Sequence, residues 1–239
     1  MLNFDNHKLE SIAIENFEKF NNAKPFSHLV IDDFLPLEEV NKIAHNFPEP
    51  NQIKWSAHGS GANADNEKFK GIKLQCQDES QFPESIKDLL QEFNSQSFLY
   101  FLKKLSGVEY IVGDPYYNGC GMHSTGNGGR LMVHADVNRY PYPALADQFL
   151  NCIFYVTPEW DAEWGRELEL WDEKVKNCVK SITPKFNRLL IFKTDRKCFH
   201  GHPHPIKCPE NKRRNSIAAY FYIPNKSLKT NSSQIQTIL

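Results

Sequence analysis

The side chains best placed to do chemistry together are His134 and Asp136, which stand two residues apart on one segment. Residues 130–136 (RLMVHAD) have the composition of a strand, in which side chains two apart point to the same side. A buried carboxylate is costly without a compensating charge. Imidazole and carboxylate ligands can bind a divalent metal on one face and leave the opposite coordination positions open. We therefore predict a metal site on this strand.

A third ligand is expected from residues 198–206 (CFHGHPHPI), in which three histidines alternate with other residues. His200 comes at the start of a strand after a turn, and Gly201 next to it permits close approach of another backbone. We favour His200 as the ligand, with His202 as the alternative. His204 lies among prolines and is expected at the surface.

The six cysteines are scattered and include no Cys-x-x-Cys pair. In a chain of this size without a recognisable secretion signal, we expect free thiols. A zinc site that uses Cys198 and Cys208 with the neighbouring histidines is an alternative, although the spacing does not match the common zinc frameworks.

Residues 213–222 (RRNSIAAYFY) begin with two arginines and continue with the composition of a strand. Arg214 and Ser216 share one side of this strand, 14 residues beyond His200. A guanidinium can hold a carboxylate through two parallel hydrogen bonds, and a nearby hydroxyl can add a third. We predict a site here for the distal carboxylate of 2-oxoglutarate, whose keto-acid end would chelate the metal. Tyr155 either donates to the same carboxylate or is an ordinary core tyrosine.

The remaining pattern predicts a mainly β protein with N-terminal helices. Helical spacing indicates helices over 8–22 and about 36–47, a strand over 26–34, and two helical segments within 83–105 that part near Asn94-Ser95. After Gly107, short runs separated by turns predict seven strands, as in a sandwich or jelly roll: 109–117, 129–137, 149–157, 166–171, 175–182, 187–193 and 215–223.

We expect one domain, with 1–106 as helical support and lid region, 107–224 as the catalytic core and 225–239 as a polar tail. The chain has 239 residues and a formal net charge of −1, so no strong field favours nucleic acid. No apolar run approaches the ~20 residues of a membrane span. The start shows no signal-peptide pattern, so we expect a cytoplasmic protein.

Five segments, in this order and spacing, resemble the 2-oxoglutarate/Fe(II) oxygenases of the prolyl 4-hydroxylase-like superfamily. The resemblance implies a double-stranded β-helix (jelly-roll or cupin-like) core and Fe(II) bound by His134, Asp136 and His200. The segments are GNGGRLMVHAD (126–136), NCIFYVTPEWDAEWGRELELWD (151–172), PKFNRLLIFKTD (184–195), CFHGHPHPIKCP (198–209) and RRNSIAAYFY (213–222).

The same resemblance implies Arg214 as the anchor of 2-oxoglutarate, Tyr155 as a second contact and Leu168 in the pocket wall. Two residues depart from the family pattern. Arg166 stands where relatives commonly have a second glycine. Ser124 lies near a position where some prolyl hydroxylases carry an aromatic hydroxyl.

The implied activity is hydroxylation of an unactivated C–H bond with O2 and 2-oxoglutarate, on a prolyl residue of a protein or peptide. The resemblance also allows ascorbate as an additional cofactor. Alternatives are the same chemistry on a free amino acid or small metabolite, or a non-redox cupin-like metal protein, which has no need of Arg214. Candidate lids are 56–72 and 137–147, the second with Arg139, Tyr140 and Tyr142 as substrate contacts. The oligomeric state is left open.

Overall fold

The computed structural model describes residues 2–58, 73–137, 146–165 and 167–224. These ranges contain four α-helices: α1 (Asn6–Asn21), α2 (Leu37–Asn46), α3 (Glu84–Phe93) and α4 (Gln96–Ser106). They contain eleven strands: β1 (His28–Ile31), β2 (Ser56–His58), β3 (Lys73–Cys76), β4 (Gly121–Thr125), β5 (Leu131–Ala135), β6 (Ala146–Tyr155), β7 (Leu168–Trp171), β8 (Cys178–Ile182), β9 (Arg188–Lys193), β10 (Phe199–His202) and β11 (Arg214–Pro224).

The helices begin and end at residues that satisfy free backbone groups. The Asp5 carboxylate accepts hydrogen bonds from the first backbone N–H groups of α1. The Ser95 hydroxyl accepts from the backbone N–H of Phe98 and so starts α4 directly after α3. Gly107 ends α4 with a φ of 74°, which favours glycine. The predicted break between two helical segments near Asn94-Ser95 is therefore confirmed.

All eleven strands pair in antiparallel fashion in two sheets. The large sheet has the order β1-β9-β6-β11-β4-β3-β2, and the small sheet has the order β5-β10-β7-β8. The two sheets face each other across a shared core, as in a double-stranded β-helix. The fold class predicted from the sequence is confirmed.

Side-chain alternation divides the large sheet into two faces. Phe154, Ile191 and Phe221 belong to a large apolar cluster that includes side chains of all four helices. The ring of Phe221, for example, lies 5.7 Å from that of Phe98 on α4. Because the helices cover this outer face, the alternate positions of the same strands point between the sheets. The outer face packs against the helices, and the inner face carries polar side chains.

One predicted strand is wrong. Within 109–117 only Val112 pairs with a strand, through an isolated bridge to Tyr222. The Asp114 carboxylate accepts from two following backbone N–H groups and turns the chain there. The strand that enters the core is β4, whose sequence GMHST lacks apolar alternation.

Several predictions fall outside the described residues: the polar tail 225–239, Arg166, the greater part of both candidate lids, and Arg139, Tyr140 and Tyr142. Of the first lid, only the three residues of β2 are described. Across the described ranges, no helix has both the length and the apolar character needed to cross a bilayer.

Candidate metal centre

Two neighbouring strands of the small sheet bring the predicted ligands together. β5 and β10 are antiparallel, and His134 lies directly opposite His200 in their register. Asp136 is the first residue after β5 and turns its carboxylate to both imidazoles, with His134 Nε2 3.4 Å from Oδ1 and His200 Nε2 3.4 Å from Oδ2. The three ligand atoms all lie within 4.8 Å of one another. These side chains therefore converge on one point.

Both imidazoles are oriented by backbone carbonyl groups. His134 Nδ1 lies 2.8 Å from the carbonyl oxygen of Met132, and His200 Nδ1 lies 3.2 Å from that of Cys198. A carbonyl can only accept, so each Nδ1 carries a proton and each Nε2 is directed toward Asp136. Metal-binding histidines commonly make this second hydrogen bond through the ring nitrogen that does not bind the metal.

The Asp136 carboxyl is partly buried, which alone would raise its pKa. Hydrogen bonds and charge from His134 and His200 outweigh that effect and hold its pKa well below the ordinary value. Burial also works to lower the pKa of His134, but the Asp136 carboxylate raises it overall. Two imidazole Nε2 atoms that converge on an ionised carboxylate are a donor set that suits Fe(II).

A side-chain amide also holds the carboxylate in place. Asn151 Nδ2 donates to Asp136 Oδ2 at 2.7 Å. The Asn151 oxygen in turn accepts from the side-chain amide of Gln148 through a very short hydrogen bond, which fixes the orientation of the Asn151 amide. Asn151 is only 1% exposed, so water does not compete for these hydrogen bonds.

Gly201 brings β10 close enough to β5 for this geometry. A Cβ at Gly201 would lie 2.9 Å from the carbonyl oxygens of Leu131 and Met132 and from the Cα of Val133. The register shifts between His200 and His202, and His202 does not belong to the metal-ligand group among the described residues. His202 is nevertheless buried in the wall of the same cavity. His204 is exposed, as expected, with its Nε2 3.6 Å from Glu169.

A second group of side chains stands across the cavity on the inner face of the large sheet. Arg214 and Ser216 lie on β11, where Ser216 is paired with Tyr155 of β6. Arg214, Ser216 and Leu168 line the same cavity as the three ligands. The hydroxyl of Tyr155 is buried, finds no hydrogen-bond partner among the described residues, and has a pKa raised by burial. A buried hydroxyl near a guanidinium is suited to an anionic ligand.

Four further polar cavity residues were not singled out from the sequence: Lys73, His123, Asn151 and Tyr220. Tyr220 shares the inner face of β11 with Arg214, so strand alternation was a usable signal for it. Lys73 lies on β3, a four-residue strand with no distinct pattern, and only its pairing with β4 brings it to the site.

Ser124 does not face the cavity, because its hydroxyl donates to Asn215 and accepts from Arg213 on the other side of the sheet. The zinc alternative also fails among the described residues. All six cysteines are free thiols, as predicted. Burial and the nearby Asp195 carboxylate raise the pKa of Cys198 to about 12, and Cys208 donates its S–H to a backbone carbonyl.

Comparison with known proteins agrees with the geometry. A sequence profile described as the 2OG-Fe(II) oxygenase superfamily matches residues 120–222. The mouse protein named prolyl 3-hydroxylase OGFOD1 is 26% identical over 220 residues, which cover 87% of this chain and 37% of that protein. The chain thus spans little more than a third of the length of this curated relative.

Two solved structures share the fold. A prolyl hydroxylase from Trichoplax adhaerens, in complex with a peptide of the oxygen degradation domain of hypoxia inducible factor, superposes with a TM-score of 0.57 at 19% identity, covering 96% of this chain and 94% of that one. A Pseudomonas putida prolyl-4-hydroxylase superposes with a TM-score of 0.59 at 13% identity, covering 91% of this chain and 100% of that one.

The predicted resemblance is confirmed: residues 120–222 match the profile of the 2OG-Fe(II) oxygenase superfamily. Enzymes of this superfamily use Fe(II) and 2-oxoglutarate, and the His-Asp-His group provides a metal site of the matching type.

Proposed function

We propose that this protein is an Fe(II)- and 2-oxoglutarate-dependent dioxygenase that hydroxylates an unactivated C–H bond, in the manner of prolyl 4-hydroxylases acting on a protein or peptide. One observation carries the proposal. A three-residue metal-ligand group and a buried arginine lie on facing sheets and line a single cavity.

One set of cavity residues would bind the metal, and a second set would bind the cosubstrate 2-oxoglutarate. His134, Asp136 and His200 would hold Fe(II), which when bound supplies O2 activation coupled to oxidative decarboxylation of 2-oxoglutarate to succinate and CO2. Arg214 would pair with the distal carboxylate of 2-oxoglutarate, and the Ser216 and Tyr155 hydroxyls would donate to it.

Apolar side chains form part of the cavity wall. Leu168, Ile153 and Phe192 line it together with the metal group and Arg214. Exclusion of water by these side chains would strengthen the pairing of Arg214 with an anion, because it lowers the local dielectric constant. It also limits side reactions of a reactive centre.

The relatives favour a prolyl substrate. The mouse relative is named a prolyl 3-hydroxylase, and the Trichoplax prolyl hydroxylase was solved in complex with a peptide fragment of hypoxia inducible factor. A free amino acid or small metabolite is the second candidate. A non-redox cupin-like protein is disfavoured, because it has no need of a buried arginine in the same cavity as the metal group.

Uncoupled turnover tests the reaction class. Succinate formation from 2-oxoglutarate is measured with and without Fe(II) for wild type, Arg214→Ala and Arg196→Ala, the last a control at an exposed turn. We expect iron-dependent succinate in wild type and in the control. Arg214→Ala should raise the KM for 2-oxoglutarate by about tenfold or more, since a hydrogen-bonded charge pair is lost.

The absence of succinate from the wild-type protein reconstituted with iron would refute the dioxygenase assignment. Where turnover is seen, proline-containing peptides and free amino acids are then compared for the gain of one oxygen atom by mass spectrometry. Hydroxylation of a peptide prolyl residue supports the first candidate, and hydroxylation of a free amino acid supports the second.

A further inference from the structure

A second cation borders the proposed active site. Lys73 opens β3 and is paired with Thr125 of β4, which is paired on its other side with Arg214 of β11. Residues paired in this way face the same side of a sheet. Adjacent strands are about 4.8 Å apart, so the Lys73 and Arg214 backbones are separated by roughly 10 Å. Both side chains line the cavity that contains Asp136.

Among the described residues, no carboxylate forms an ion pair with the ammonium group of Lys73. Its attraction to Asp136 is opposed by repulsion from Arg214. Burial lowers the pKa of Lys73 to about 8, so the group is still mostly charged at neutral pH. A lysine inside a protein is costly unless something pairs with it.

The proposed cofactors do not supply that partner. On the proposed function, the charges of Fe(II) and Arg214 are matched by the Asp136 carboxylate and the two carboxylates of 2-oxoglutarate. Those two carboxylates already have positions, one at Arg214 and one at the metal. Lys73 lies on the far side of Thr125 from Arg214 and contributes one positive charge that nothing in this set neutralises.

We propose that Lys73 determines specificity by binding a carboxylate of the substrate. This inference rests on the proposed function and narrows its substrate class to molecules that carry a carboxylate close to the hydroxylated carbon. That carboxylate belongs either to a free amino acid or to an acidic side chain next to the target residue of a peptide.

Binding to the non-reactive Mn(II)–2-oxoglutarate complex separates these sources. Calorimetric titrations compare L-proline with L-prolinamide, and the blocked peptide Ala-Pro-Asp amide with Ala-Pro-Asn amide. The proteins are wild type, Lys73→Gln, Lys73→Arg and the exposed-site control Lys174→Gln. In wild type, the carboxylate member of one pair should bind about tenfold or more tightly than its amide, as expected for a charged hydrogen bond.

Lys73→Gln should abolish that preference, while Lys73→Arg and the control retain it. The affinity for 2-oxoglutarate should be retained in Lys73→Gln, which assigns the lysine to the substrate and not to the cosubstrate, and circular dichroism checks that the variant is folded. The ligand pair that shows the carboxylate preference identifies whether the carboxylate belongs to a free amino acid or to an acidic side chain of a peptide.

Three results would overturn the inference: a carboxylate preference that survives Lys73→Gln, wild-type protein that prefers neither carboxylate probe, or a loss of 2-oxoglutarate affinity in Lys73→Gln. The last would assign the lysine to the cosubstrate. Failure of the proposed function is a separate outcome, namely no iron-dependent succinate from wild type, because the Mn(II) titrations do not require turnover.

Discussion

Replacing Asn151 by alanine removes the amide that holds the metal-binding carboxylate. In the folded protein Asn151 Nδ2 donates to Asp136 Oδ2 at 2.7 Å, and Gln148 occupies the oxygen of the same amide. Only the N–H2 group of Asn151 can therefore face Asp136. After the substitution, the remaining described contact of Oδ2 is His200 at 3.4 Å.

The structure gives the expected size of the effect. A hydrogen bond to a charged group contributes about 1.5–3 kcal/mol, and Asn151 is 1% exposed, so water cannot easily take its place. Loss of a group that orients a metal ligand typically weakens metal affinity by about 10- to 100-fold. We expect Asn151→Ala to fall in this range, and Asn151→Leu, which keeps the volume, to fall there too.

Competitive titration of Mn(II) against a chelator, without oxygen, measures the change in metal affinity. Asn127→Ala is a matched control, because Asn127 Nδ2 donates to the Glu210 carboxylate at 2.9 Å at the protein surface. It should leave metal affinity within about twofold, since exposed pairs contribute little. If Asn151→Ala binds Mn(II) as tightly as the control does, the amide does not position Asp136 and the reasoning is refuted.

Other substitutions probe the neighbouring geometry. Gly201→Ala should lower stability by about 1–3 kcal/mol and weaken Mn(II) binding, since its Cβ meets three backbone atoms at 2.9 Å; unchanged thermal unfolding would contradict this. His200→Gln should abolish Mn(II) binding and His202→Gln should retain it, and the reverse result would exchange their roles. In the folded protein the pKa of Lys73 is about 8, below its ordinary value of 10.5. The charge of Lys73 therefore destabilises the folded metal-free protein fully below pH 8, and this destabilisation decreases between pH 8 and pH 10.5. Lys73→Met should therefore be more stable than wild type at pH 7, by at most about 3 kcal/mol, with the difference vanishing near pH 10.5 in urea titrations; a pH-independent difference would argue against a buried charge.

Alternation along long strands was sufficient to predict much of the site. His134 and Asp136 could be placed on one face because apolar residues occupy the other. Arg214 and Ser216 were assigned to a common side of β11 for the same reason, and the structure places both on the inner face. Gly201 identified His200, since only a glycine lets β10 approach β5 so closely.

The remaining features depend on contacts between distant parts of the chain. Lys73 reaches the cavity because β3 pairs with β4, about fifty residues further along the chain. Neither strand has a hydrophobic periodicity from which this pairing could be predicted. Residues 109–117 looked like a strand from their apolar content, but Asp114 uses its carboxylate to turn the backbone. The role of Asn151 depends on its hydrogen bonds to Gln148, on the same strand, and to Asp136, which follows β5 in the other sheet. No local sequence pattern predicts these contacts.

The direct opposition of His134 and His200 has a consequence for the apo and metal-bound states. A cation between them acts as a cross-link between strands whose ligands are 66 positions apart along the chain. Because the unfolded chain does not hold these two ligands together, added metal shifts the folding equilibrium toward the folded state by mass action. The amides along the β5–β10 seam should therefore gain the most protection from hydrogen exchange when metal is supplied, and this seam should open first when it is withdrawn.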